Sequence, residues 1–176
     1  MADVGIILGS DSDLPKIKEC FDVLEQFNVS FEITISSAHR APAQAIEWAS
    51  TAVQRGIKII IAVAGGAAHL PGVVAAHTIL PVIGVPVETD IAGGIDSILS
   101  IIQMPAGVPV AAMAAGKAGG ANAALFAVAI LSLTNKSYAE RLERYRKDMA
   151  EKISERNNTL KKIGLKEYIK MKEAGK

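Results

Sequence analysis

Cysteine is nearly absent from this chain, with one residue, Cys20, in 176. No intrachain disulfide is available, so the fold must rest on a core, which a single domain of this length can bury without staples. Cys20 lies in a helical apolar pattern with Ile17, Phe21, Leu24 and Phe27, where a free thiol serves as a small core residue, and it is given no role. Histidine is almost as scarce, at three, and none stands at a recognised metal-ligand spacing, so no metal is expected. Gly9-Ser10-Asp11-Ser12-Asp13 is neither a dinucleotide fingerprint nor a P-loop, and no cofactor is implied.

Charge is missing from the middle of the chain. Between Lys58 and Lys117 only Glu88, Asp90 and Asp96 are charged, too few for a segment lying across a surface, so much of it is expected to be buried. The formal net charge of +1 hides a split, with 7 basic and 11 acidic residues up to Lys136 and 12 basic and 7 acidic from Ser137 onward. In the basic part the signs alternate along a helical pattern without interleaved aromatics, which describes a solvated helix and excludes nucleic acid as the main partner. Ala118 to Asn135 is uncharged over 18 positions and approaches the length of a membrane span. Gly119-Gly120-Ala121-Asn122 dilutes it and no second span accompanies it, so burial between subunits is the simpler reading and no membrane is expected. From Met1-Ala2-Asp3 the chain passes directly into a strand-like run, leaving no room for a secretory leader, and a cytoplasmic location is expected.

What is present is a regular alternation. Val4 to Leu8, Ile57 to Val63 and Pro81 to Val85 are short apolar runs, as parallel strands buried on both faces require. Val29 to Ile35 alternates in part, like a strand nearer an edge, and Val110 to Met113 supplies a fifth. Helical patterns separate them, through Ile17 to Phe27, Ala43 to Arg55, Val73 to His77 and Ile95 to Gln103. The order predicts an α/β fold, a three-layer α/β/α sandwich on a parallel, flavodoxin-like sheet, with ligands at the carboxyl ends of the strands. Asp13 falls in the N-cap region of the first helix, and His77 reads as a helix-end residue. Ser137 is expected to cap a final helix whose stripe of Tyr138, Leu142, Tyr145 and Met149 needs a partner that a neighbouring subunit would provide. The chain is read as one domain, 1–176, in which 137–176 form a C-terminal helical extension and the lysine-rich end beyond Gly164 is expected to be mobile.

Three loops at the carboxyl edge carry the chemistry. The first, Gly9 to Asp13, offers hydroxyls and carboxylates at a helix N-terminus, though the same residues also suit plain capping. The second, Ser36-Ser37-Ala38-His39-Arg40, sets an imidazole beside a guanidinium fork suited to phosphate; the bland alternative is serine capping and a solvated arginine. The third, Ala64-Gly65-Gly66-Ala67-Ala68-His69-Leu70-Pro71-Gly72, places a histidine among residues too small to shield it, with glycines that let backbone approach a ligand; a tight strand-to-helix connection would also use them. Together Ser10, Ser12, Asp11, Asp13, Ser37, His39, Arg40 and His69 describe a pocket with a guanidinium for phosphate, a carboxylate for sugar hydroxyls and imidazole for proton transfer, which fits a sugar-phosphate ligand.

These strings, with Gln103-Met104-Pro105 and Gly116-Lys117-Ala118, resemble the signatures of the PurE family of purine biosynthesis, in the same order, over residues 4 to about 133. The resemblance implies movement of a carboxylate from the exocyclic nitrogen of an aminoimidazole ribonucleotide to ring carbon C4, without ATP, biotin or metal. It implies His39 as general acid-base with His69 beside it at the catalytic centre. Ser10, Asp13 and Arg40 would bind the ribose phosphate of a phosphorylated aminoimidazole riboside, with Ser37 and Gly65 as further lining. It also implies a homo-octamer in which the C-terminal helix crosses to a neighbour. Ile91-Ala92-Gly93 and Gly119-Gly120 depart from the usual family pattern, and neither touches a named site residue. A branch of the family that carboxylates with free CO2 carries an Arg-Ser-Asn string where this chain has Gly66-Ala67-Ala68, which favours the transfer reaction. The more distant alternative is a non-catalytic nucleotide-binding module, which would have no use for His39.

Overall fold

The computed structural model describes residues 1–174. A five-stranded, all-parallel sheet runs in the order β2-β1-β3-β4-β5, formed by β1 (Val4–Leu8), β2 (Phe31–Ile35), β3 (Ile59–Ala64), β4 (Val82–Pro86) and β5 (Ala111–Ala112). Every residue of β1, β3 and β4 is buried, as their unbroken apolar runs require, while β2 is half-exposed at the edge. β5 is shorter than its apolar run predicts. Only Ile83↔Ala111 and Gly84↔Ala112 pair, and beyond them the Met113 amide donates to the Gly84 carbonyl at 2.9 Å.

Between the strands lie α1 (Lys18–Gln26), α2 (Pro42–Ser50), α3 (Leu70–Ala76), α4 (Ile95–Ile102) and α5 (Gly116–Ser132). Alternation along the strands divides the core. Ile7, Ile60, Ala62 and Val82 face α2, α3 and α4 through Ala45, Ala49, Leu70, Val74 and Ile101. The opposite set, including Ile61, Val63, Ile83 and Val85, lies on the side of α5, which packs on α1, β3 and β4. The layers are those expected, but α5 is buried differently from the expectation of a helix held between subunits: Gly119, Gly120, Ala123, Ala124, Ala127, Val128 and Leu131 are inside the chain's own core, because α1, β3 and β4 already cover them. Its small residues are needed for close approach. A Cβ on Gly119 would lie 1.7 Å from the Ala114 carbonyl oxygen, and one on Gly120 would lie 3.2 Å from Ile17 Cβ. Among the described residues no helix is long and apolar enough to cross a membrane.

Several local expectations are corrected. Asp13 is not the helix cap: a 3-10 turn, Asp11–Ile17, precedes α1, and Ser10 caps it by accepting from the Ser12 amide at 3.3 Å. The second helix stops at Ser50, with turns to Gly56 at φ 86°, instead of continuing to Arg55.

Residues 135–174 form a separate compact unit. It consists of α6 (Lys136–Ile163) and α7 (Leu165–Ala174), divided by Gly164 at φ 79°. Asn135, not Ser137, caps α6, because its side-chain oxygen accepts from the Ser137 amide at 3.0 Å. Residues 165–174, expected to be mobile, are helical; the last two positions of that expectation lie outside the described residues. Further along the α6 stripe Met149 and Ile153 are exposed.

Candidate functional site

The strand order reverses direction around β1, which sits between β2 and β3, and ligands in such sheets bind where the carboxyl ends part. The registers Leu8↔Ile35 and Leu8↔Val63 bring the loops after β1, β2 and β3 side by side. They enclose a cleft of about 420 Å³ lined by Ser10, Asp13, Ser37, His39, Arg40, Gly65 and His69, all seven residues selected from the sequence. Ser12 and Asp11 do not line it. They complete the turn around Ser10, whose Oγ lies 2.9 Å from Ser12 Oγ and donates to Asp11 Oδ1 at 3.2 Å.

Asp13 is the buried carboxylate of the group, 7% exposed. Burial pushes its pKa up, Lys16 at 3.8 Å and Arg40 pull against that, and Asp11 adds to the rise. The β2 loop is folded on Ser37, whose Oγ accepts from the amides of His39 at 3.3 Å and Arg40 at 3.2 Å. Arg40 Nη2 donates to the Gly9 carbonyl at 3.0 Å, tying the second loop to the first. One of five guanidinium N–H groups is spent on that bond, which fixes the fork while leaving donors for a ligand.

The β3 loop turns tightly, with Gly66 at φ 66°, the Ala68 amide on the Gly66 carbonyl at 2.8 Å and the His69 amide on the Ala67 carbonyl at 2.7 Å. These turns deliver His69 to His39. His39 Nε2 and His69 Nδ1 are 2.6 Å apart with the rings 86° from coplanar, so one nitrogen donates and the other accepts a single proton. Both imidazoles are exposed, whereas Ala64 and Ala68, which line the same cleft, are buried.

Sequence reasoning named both histidines but not their direct bond, and it missed Lys16, Val87, Glu88 and Thr89, which also line the cleft. Lys16 stands one helical turn past Asp13, a spacing that signals their pairing. The other three follow β4, whose loop carries two of the three charges in the apolar middle of the chain. His77 lies away from the cleft, with Nδ1 2.8 Å from the Val73 carbonyl at the end of α3, in keeping with a structural role. Cys20 is buried and its thiol is pushed up to about 12 by desolvation, which leaves it inert.

A family model described as AIR carboxylase matches residues 3–152. The N5-carboxyaminoimidazole ribonucleotide mutase of Pyrococcus horikoshii is 53% identical over 166 residues, covering 94% of this chain and 93% of that protein. The mutase of the same name from Thermotoga maritima is 50% identical over 173 residues, covering 98% and 100%. A crystal structure of Treponema denticola PurE superimposes with a TM-score of 0.81 at 31% identity, covering 90% of this chain and 98% of that one.

Proposed function

Because the chain belongs to the AIR carboxylase family, we propose that its cleft performs the mutase reaction of purine biosynthesis, an isomerisation that moves a carboxylate from the exocyclic nitrogen of an aminoimidazole ribonucleotide to ring carbon C4. The observation that carries the mechanism is the imidazole pair in a cleft lined both by polar and charged side chains and by small alanine and glycine residues.

Ser10, Asp13 and Arg40 hold the ribose phosphate, Arg40 through the donors not used on Gly9, and Ser37 and Gly65 line the approach to the base. Protonated His39 gives its proton to the carbamate nitrogen. The nitrogen–carbon bond breaks, its electron pair stays on nitrogen, and CO2 is released. The wall from Ala64 to Ala68 keeps that small apolar molecule beside the ring under the bound nucleotide. C4 then attacks it, forming the new carbon–carbon bond, and His39 removes the C4 proton, which restores its starting state. His69, bonded to His39 at Nε2, orients the ring and leaves Nδ1 as the nitrogen that gives and takes back the proton.

The oligomer follows the same reading. We assign a homo-octamer in the cytoplasm, with the C-terminal helical extension packing on a neighbouring subunit; exposed Ile33 and Ile35 on β2, Phe126 on α5, and Met149 and Ile153 on α6 support self-association. Light scattering is expected to give the mass of eight chains.

The test of function runs the reaction backwards, by equilibrating the protein with the C4-carboxylated ribonucleotide and labelled bicarbonate while following ultraviolet absorbance and carbon NMR. The nitrogen-carboxylated isomer, formed with little early exchange of label, is expected. Direct production of free aminoimidazole ribonucleotide with rapid exchange would assign the chain to carboxylation by free CO2, and binding without turnover would make it a nucleotide-binding module.

A further inference from the structure

The catalytic loops rest on a helix that the mechanism above does not use. Ser97 is the one residue of α4 whose polar side chain is wholly buried, at 0% exposure. Its hydroxyl donates to the Val87 carbonyl at 2.8 Å and accepts from the Gly66 amide at 2.9 Å, so a single oxygen joins α4 to the loops after β3 and β4. One turn further on, Ser100 Oγ lies 3.2 Å from the Gly66 carbonyl and 2.8 Å from the Asp96 carbonyl, sharing its proton between them. Both polar groups of Gly66 are therefore held from α4. Gly66 is three residues from His69, and the two tight turns between them transmit its position directly.

We propose that Ser97 and Ser100 are positioning residues for the carboxylate transfer, clamping Gly66 so that His69 meets His39 and the alanine wall stays closed behind the base. This rests on the function proposed above. Two consequences follow from the geometry. The Gly66 N–H is committed to a buried hydroxyl, so it is not the amide that receives a substrate carboxylate. A loosened clamp also spoils the chemistry more than the binding, because Ser10, Asp13 and Arg40 hang on the other two loops.

The experiment compares Ser97→Ala and Ser100→Ala with the parent enzyme, reading kcat, KM, Tm and the fraction of turnovers that release free aminoimidazole ribonucleotide. In Ser97→Ala, kcat is expected to fall about tenfold or more while KM stays within about twofold, since small misplacements of reacting groups carry penalties of this size. Release of the free ribonucleotide should rise, and Ser100→Ala should show a smaller change in the same direction. If Ser97→Ala does not fold, Ser100→Ala decides, because its hydroxyl is only half-buried. Nitrogen NMR of the histidine rings reads the clamp without turnover: the signals of His39 and His69 should move in both variants and that of His77 should not. Variants that lose Tm alone, with kcat of the folded fraction and all three histidine spectra unchanged, would overturn the proposal. Absence of turnover in the parent enzyme would overturn the functional reading, and the histidine spectra would still decide the clamp.

Discussion

Replacing His39 by Asn keeps a polar side chain of similar size in the cleft and removes the proposed acid-base group. A positioned acid-base group supplies about 10²–10⁴ in rate, which is about 2.7–5.4 kcal/mol of barrier. In the proposed mechanism His39 is used twice per cycle, at nitrogen and at C4, so the loss in kcat should fall at the upper end, about 10⁴-fold. KM should change little, because the proposed mechanism gives the ribose phosphate to other side chains. His69→Asn removes only the partner across the 2.6 Å contact. A hydrogen bond of that kind contributes about 1–1.5 kcal/mol, so kcat should fall by about tenfold. The double variant is the decisive member of the set. Two groups acting as one unit are not additive, so Asn at both positions should be no slower than His39→Asn alone. The reverse reaction, monitored by ultraviolet absorbance, measures all three. Full turnover in His39→Asn, or losses that multiply in the double variant, would refute the reasoning.

Asp13 should trade stability for binding. Its folded pKa is raised, so the native state is favoured at pH values below the carboxylate's ordinary range and loses that advantage as pH rises through the folded pKa. Asp13→Asn should therefore melt higher than the parent at pH 7, with the difference closing as the pH falls toward the ordinary value of 3.8, while nucleotide binding measured by calorimetry is weakened. Arg40→Lys keeps the charge but loses the planar fork that reaches Gly9 and, in the proposed mechanism, a phosphate together; KM should rise about tenfold, the loss of one charge-assisted hydrogen bond. Gly119→Ala places a methyl group against the Ala114 carbonyl, so α5 must shift, and urea unfolding should show a loss of roughly 2 kcal/mol or more.

Much of this architecture could be read directly from residue patterns. β1 is found where its apolar run lies, and β3 and β4 within two residues of theirs, because a strand buried on both faces has to be apolar throughout. The seven cleft residues were legible because loops at one edge of a parallel sheet converge whatever their side chains do. The bond between His39 and His69 was not legible: it depends on the register of three strands and on two turns at Gly66 and Ala67. Ser10 displaced Asp13 as the cap for a similar reason. Both residues suit the position locally, and the burial that takes Asp13 into the cleft is a tertiary effect. Ser97 gave no signal, since a serine in a short amphipathic helix looks the same whether it faces water or holds two loops.

The residues that line the cleft all lie between Gly9 and Thr89, yet α5, which packs on β3 and β4, begins only at Gly116. On the ribosome the chemistry is therefore written out before the sheet can be closed. Until α5 emerges, the side of Ile61, Val63, Ile83 and Val85 lacks one of its covering helices, an apolar surface of the kind that draws nascent chains into aggregates. A fragment ending after Thr89 would carry every side chain named in the reaction and still be poorly soluble.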